Sequence, residues 1–525
     1  MHLEAFERGL RGRRRRKPLL KGLVALAVLA LSLTGARVAS GAASSYDPVA
    51  DLYSMYNITN LISAKTWWQA GYTGQGIDVA LIDTGVSPVS GLDGPGKLIY
   101  GPDLSLESQA PNLRNLDTNG HGTFMAGLIA GHDSTLTSPY AGAPATAYRG
   151  IAPDARIISV KVATADGGTD VSQVIAAIYW VIEHAHDPGL NIRVINLSYG
   201  TNSRQTYRVD PLAYAAEQAW KAGIVVVAAA GNTGYQKGHG APGLANPAYN
   251  PYVIAVGGYD PMGTLSFKDD RIGSYSASSC GGGSCKKPDF VAVGSHLQGL
   301  RVPNSYVDAT HPEGVIDSRY FRGSGTSGAT AIASGTVALI LQKYPDLTPD
   351  EVKRFIADKG KKVPGANSES QGRGEIYLLE LANKEPKRYE QKHKASTGIG
   401  SLELARGSDH LTRDGVVLTG ERDIFGREFD AAAIAAAEAT GSSWSGGTWN
   451  GNSWSGNSWS GNSWSGNSWS GNSWSGNSWS GSSWSGNSWS GNSWSGSTWS
   501  GSSWSGTSWS GGAWSGGGWQ GATWD

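Results

Sequence analysis

Three side chains in this sequence are of the types that together activate a hydroxyl: an aspartate, a histidine and a serine, each set among small residues. Ser327 lies in Phe321-Arg322-Gly323-Ser324-Gly325-Thr326-Ser327-Gly328-Ala329-Thr330, and an apolar, Ala-rich run continues from there to Lys343. A serine hydroxyl is a weak nucleophile at neutral pH until a neighbouring base takes its proton. The pattern predicts a nucleophile at the start of a buried helix, where free N–H groups and the positive dipole end face developing negative charge. His121, in Asn119-Gly120-His121-Gly122-Thr123, is the candidate base, and Asp83, in Asp83-Thr84-Gly85, the candidate carboxylate that orients it. Singly, each has a plainer role: Asp83 as a turn cap, His121 as a structural histidine. Together they stand in the order Asp, His, Ser, one of several in which chains build a catalytic triad.

These residues need a scaffold that brings distant segments together. Residues 76–82 read as a buried strand ending at Asp83, and His121 opens an apolar, helix-like run. Strands are predicted at 156–162, 192–197, 224–230 and 252–256, and helices at 170–184 and 210–221. Thr348-Pro349-Asp350-Glu351 supplies a cap, a proline at the first helical position and first-turn acids, so another helix begins there. Strands alternating with helices imply an α/β fold, with a mostly parallel sheet covered by helices on both faces. Strand C-termini of such a sheet line up along one edge, where the three groups can converge.

Composition sets the outer limits. The 525 residues are 39% hydrophobic and formally neutral, so nothing electrostatic argues for nucleic acid as a partner. A basic block (Arg11, Arg13 to Lys17), an apolar run (Gly22 to Leu33) and small residues (Ala39 to Ala43) give residues 1–43 the layout of a secretory signal peptide. The apolar run is short of the ~20 residues that span a bilayer. The chain is therefore expected to be secreted or extracellular, with cell-surface association open. Residues 44–75 read as a leader, 76–383 as one domain, 384–443 as a charged linker plus an unassigned segment, and 444–525 as a tail. In the tail a tryptophan recurs every five residues, mostly as Gly-Asn-Ser-Trp-Ser. Two readings stay open: a flexible Gly/Ser chain, or a repetitive strand or coil whose aromatic surface binds cell wall, glycan or protein. Cys280 and Cys285, the only cysteines, suit a small local disulfide loop in an exported protein. No His or Cys cluster accompanies them, and no metal ligands are assigned.

Four segments, Val79-Ala80-Leu81-Ile82-Asp83-Thr84-Gly85, Asn119-Gly120-His121-Gly122-Thr123, Val225-Val226-Val227-Ala228-Ala229-Ala230-Gly231-Asn232 and Gly325-Thr326-Ser327, resemble the signature segments of the subtilisin-like serine proteases, the subtilases. Lys287-Pro288-Asp289-Phe290-Val291-Ala292 also resembles the stretch ahead of the family's serine. The resemblance implies a serine endopeptidase working through an acyl-enzyme, with Ser327 as nucleophile, His121 as acid–base and Asp83 as its orienting carboxylate. It further implies that Asn232 donates to the oxyanion, and that Ser198 and Gly200, in Leu197-Ser198-Tyr199-Gly200, lie on a strand that pairs with substrate backbone. Asp166-Gly167-Gly168-Thr169 would form the opposite wall. Polypeptides are the implied substrates and a monomer is expected. No cofactor is required; calcium sites are common in the family, but no ligand is assignable.

The chain departs from the family pattern at Gly328-Ala329-Thr330-Ala331, where Met-Ala-small-Pro is usual, and at Phe124, often a histidine. The stretch ahead of Gly76 is short for the family's folding propeptide. One rival reading is an inactive scaffold whose tail binds a surface; the intact Asp83, His121, Ser327 and Asn232 argue against it. An esterase would show Gly-x-Ser-x-Gly and the order Ser, Asp, His, and neither is present.

Overall fold

The computed structural model describes residues 46–525 apart from 111, 235–242, 280–284, 414–415, 446–447, 451, 454–457, 507, 517–518 and 522–525. The signal-peptide reading and Cys280 lie outside the described residues. Cys285 is disulfide-bonded, and Cys280 is the only other cysteine of the chain.

The first eight strands are β1 (Asp78–Asp83), β2 (Leu98–Asp103), β3 (Arg156–Lys161), β4 (Ile192–Leu197), β5 (Val225–Ala229), β6 (Ile254–Asp260), β7 (Arg271–Ile272) and β8 (Phe290–Val293). They form one sheet in the order β2-β3-β1-β4-β5-β6-β7, with β8 also on β6. Every pairing is parallel except β6 with the short β7. Strands β1, β5 and β8 are buried at every residue, as a parallel sheet covered on both faces requires. The edge strand β2 alternates half-buried and buried residues. It lies in a stretch that reads as loop in the sequence, because Gly101 and Pro102 interrupt its apolar pattern.

Among the described residues up to 357, the α-helices are α1 (Met55–Leu61), α2 (Ala64–Gln69), α3 (His121–Ala130), α4 (Val171–His184), α5 (Pro211–Lys221), α6 (Tyr306–Thr310), α7 (Thr326–Lys343) and α8 (Pro349–Ala357). Three of them start on capping side chains, of which Thr348 is the cap expected from the sequence. Asp170 and Gln173 form a capping box on α4, Asp210 caps α5 ahead of Pro211, and Thr348 with Glu351 boxes α8. Helix α7 is buried from Gly328 to Leu341, so it carries no polar face. It packs on α3 and crosses β4, β5, β6 and β8, while α4 and α5 pack on each other. A hairpin of β9 (Leu297–Leu300) and β10 (Tyr320–Gly323) completes the scaffold ahead of α7.

The segment ahead of Gly76 is part of this body. Trp67 and Trp68 are fully buried, their indole N–H groups donating to the carbonyls of Leu378 (2.9 Å) and Ile151 (3.0 Å). Helices of seven and six residues leave little periodicity to read, so the tryptophan pair is the only sequence signal of this docking. The segment beyond 383 also folds back. Arg388 pairs with Glu351, the Ser396 N–H donates to Glu217, and Tyr214 donates to Ala435 within the helix Ala431–Ala439. The first two tail tryptophans belong to this packing: Trp444 donates to the Ala176 carbonyl of α4, and Trp449 is buried beside Phe429. Further along, the backbone pairs in parallel with itself, Ser493 opposite Ser508 and Trp504 opposite Trp519, so equivalent positions three pentapeptides apart lie side by side.

One buried pair makes the fold sensitive to pH. The carboxyls of Asp270 and Glu375 are buried against each other and share a hydrogen bond, and no other described residue donates to their oxygens. Burial, and for Glu375 also the Asp270 charge, raises both above the ordinary carboxylate range. Each therefore holds its proton more tightly folded than unfolded. The stability linked to these protons is present in acid and is lost as pH rises through the raised folded values. Glu375→Gln removes one of them, so thermal unfolding followed by circular dichroism should show the variant gaining stability over wild type, on the order of 1 kcal/mol, at pH 8 and not at pH 4.

Candidate active site

Asp83 ends β1, where the chain leaves the sheet at its C-terminal edge. One oxygen, Asp83 Oδ1, accepts from the Thr84 N–H (2.8 Å) and faces His121 Nδ1 at 2.7 Å. The Asp83 side chain is 4% exposed and that of His121 33% exposed, so the carboxylate is buried behind a ring that reaches the cleft. Burial pushes the His121 pKa down. The charge and hydrogen bond of Asp83, with the charge of Asp117 behind them, together push it up by more, so it ends above the ordinary 6.5. The same contact holds the proton on Nδ1 and leaves Nε2 as the basic nitrogen.

This pair is set by a loop the sequence motifs only partly disclose. Asp117 is buried: its Oδ1 accepts from Thr84 Oγ1 (2.8 Å) and the Gly120 N–H (2.7 Å), its Oδ2 from the Thr123 N–H (2.8 Å) and hydroxyl (2.5 Å). It thus ties the end of β1 to the first turn of α3. Gly122 N–H donates to Thr84 Oγ1 (2.9 Å), and a Cβ at Gly122 would fall 2.0 Å from the Gly85 carbonyl oxygen. Only glycine permits that approach. Gly120, at φ 102°, turns the chain in the left-handed region just ahead of His121.

Ser327 is the second residue of α7. Its hydroxyl donates to the Ser198 carbonyl (3.4 Å), and the Ser198 hydroxyl donates to the Ser327 carbonyl (3.1 Å). Asn196, on β4, donates to Ser198 Oγ (2.9 Å) and accepts from Ser334 in the middle of α7 (2.9 Å), which ties the helix to the strand end. Asn232 Oδ1 accepts from both the N–H and the hydroxyl of Thr326 (2.9 Å each). Two donors on the oxygen settle the amide's orientation, leaving Nδ2 as a donor beside Gly325. His121, Asn232 and Ser327 line one cavity of about 210 Å³. Asn232 and Ser327 also border an open cleft of about 640 Å³, which Asp166 to Thr169 and Ser198 to Gly200 line as well.

The structure thus brings Asp83, His121, Ser327, Asn232, Ser198 and Gly200 to one place. Sequence reading passed over Asp117, Asn196, Thr326 and Glu107. Glu107 accepts from the Ala165 N–H (2.8 Å) and from Lys161 (2.6 Å), holding the 165–169 wall to the sheet. A polar Asn196 within an apolar strand, and an aspartate four residues before His121, were the available signals. Among the described residues no group of three or more His, Cys, Asp or Glu is placed to hold a metal ion.

A buried carboxylate on an imidazole, a serine at a helix start and an amide donor beside it, on a parallel α/β sheet, define the class to which this chain is assigned. Residues 74–374 match the Subtilase family (Peptidase S8), and the chain belongs to that family. Serine protease AprX of Bacillus subtilis (strain 168) is 37% identical over 307 residues, covering 58% of this chain and 65% of that protein. Subtilisin DY of Bacillus licheniformis is 32% identical over 298 residues, 57% of this chain and 88% of that protein. The similarity to the first thus spans less than two thirds of that relative's length. A solved cold adapted subtilisin-like serine proteinase superposes with a TM-score of 0.43 at 25% identity, covering 58% of this chain and 90% of that one.

Asp83→Asn should remove the charge that raises His121. If the three residues act together, its kcat/KM on a peptide substrate should fall by on the order of 10⁴-fold, the loss that removing the orienting carboxylate causes in a Ser-His-Asp triad. The acid limb of the pH–rate profile should move to lower pH, since less proton affinity remains on the imidazole. A pH series on both enzymes checks both.

Proposed function

We propose that this protein is an exported serine endopeptidase in which Ser327 attacks the peptide carbonyl and forms an acyl-enzyme. The observation that carries the reading is the 2.7 Å contact of buried Asp83 with His121, in a cavity that Ser327 and Asn232 also line. His121 takes the Ser327 proton as the hydroxyl oxygen bonds to the carbonyl carbon, then gives it to the leaving amine as the C–N bond breaks. Water then attacks the acyl-enzyme along the same path and releases the acid. Asn232 Nδ2 and the Ser327 backbone N–H stabilise the oxyanion of each tetrahedral intermediate. The substrate backbone pairs as an added strand between Ser198–Gly200 and residues 166–169.

Extracellular action fits the N-terminal basic and apolar pattern and the disulfide at Cys285. Among the described residues no helix is long and apolar enough to cross a membrane. The pentapeptide tail serves as a contact with cell wall, glycan or protein partners, and the enzyme acts as a monomer.

Fluorophosphonate labelling and casein hydrolysis, run on wild type and Ser327→Ala, test the reaction. Both signals should vanish in the variant. A folded wild type that neither labels nor cleaves contradicts the proposal. Asn232→Ala should keep substrate binding and lose on the order of 10²–10³ in kcat, a magnitude borrowed from the equivalent donor of subtilisin itself.

A further inference from the structure

The cleft beside Ser327 has a third wall, and it comes from beyond residues 74–374, the part that matches the family. After the domain's last strands the chain runs along the outside and returns to residues 201–203. Thr201 donates to the Ala405 carbonyl (2.6 Å), Ser203 to the Leu404 carbonyl (2.7 Å), and the Ser408 N–H donates to Asn202 (2.8 Å). Arg406, in the short helix Leu402–Arg406, locks the return. Its guanidinium is fully buried and pairs at 2.6 Å with Asp170, the residue that caps α4. Arg406 also donates to the carbonyls of Gly420 and Arg422, pinning both ends of the excursion that carries residues 409–412.

That excursion enters the cleft. Asp409 to Thr412 line it together with Gly168, Tyr199 and Ser327. Leu411 is half-buried, and one of its δ-methyls lies where a Cβ on Gly168 would be 3.0 Å away. The Leu418 N–H donates to the Leu411 carbonyl (2.8 Å), which holds Leu411 at the base of a hairpin. Gly168 offers a substrate only bare backbone. With Leu411 laid over it, that stretch of the wall, between the polar Asp409, His410 and Thr412, gains an apolar surface in the cleft that Tyr199 also lines.

Resting on the peptidase reading, we propose that Leu411 is a specificity-determining residue: it forms the apolar wall of a subsite for a large apolar side chain, N-terminal to the scissile bond of the substrate. An extended peptide turns alternate side chains to the same face, so one alternate set of substrate residues meets Leu411 and the other does not. Burial of apolar surface against a leucine favours Leu or Phe over Gly there, and a polar replacement removes that gain.

The test uses the full chain and tetrapeptide p-nitroanilides in which each residue N-terminal to the scissile bond is varied among Gly, Leu and Phe. Wild type should prefer Leu and Phe over Gly at one position. In Leu411→Ser that preference should shrink roughly tenfold, the scale of discrimination by an apolar pocket. The change should appear mainly in KM, with Gly substrates unaffected and Leu411→Met close to wild type. An equal loss on every peptide, which a structural role would give, or no change in preference, overturns the wall and leaves the peptidase reading standing. A wild type that turns over none of the peptides and takes no fluorophosphonate overturns both.

Discussion

The end of β1 and the first turn of α3 meet backbone to backbone, and the rest of the site depends on that contact. With glycine at 122 the two segments close to a distance no side chain would survive, and Asp117 satisfies four donors drawn from both. A buried carboxylate is costly unless it is hydrogen-bonded. Here the bonds that satisfy Asp117 are the same ones that set the distance between Asp83 and His121. His121 is therefore oriented by groups that stand outside the proposed reaction.

Ser327 is placed by a second, separate docking. Helix α7 threads the core without a polar face, and its start is fixed by reciprocal bonds between Ser198 and Ser327, its middle by Asn196 with Ser334. Thr326 orients the Asn232 amide from the same turn. Both dockings sit at strand ends of one parallel sheet, so the sheet converts two local fits into one site. The C-terminal segment adds a third anchoring, through the buried Arg406–Asp170 pair, on the helix next to the cleft wall. The cost of removing both charges from water offsets much of their attraction, so the pair is weak evidence of added stability.

Much of this was legible in the sequence because local chemistry and global fold agree. The glycines around His121 and Ser327, the caps at Asp170, Asp210 and Thr348, and the apolar runs of β1, β4 and β5 each point to the element observed. The order of Asp83, His121 and Ser327 pointed to the family that residues 74–374 match. What escaped was held by long-range contacts. Edge strand β2 is broken by Gly101 and Pro102, and α1 and α2 are too short to show a period. Residues 396–412 have no pattern of their own, because their structure is imposed by Asp170, Thr201 and Ser203. Leu411 reaches Gly168 only through that imposed path, and no spacing in the sequence records it.

The central claim is that buried Asp83 holds and charges His121, and proton NMR of the imidazole tests it most directly. Ser327→Ala protein avoids self-digestion and leaves both partners in place. The account predicts a deshielded Nδ1 proton, well downfield of the amide envelope, that titrates with a midpoint above 6.5 and disappears when Asp83→Asn is added. A His121 that titrates at or below 6.5, with no such resonance, would contradict it.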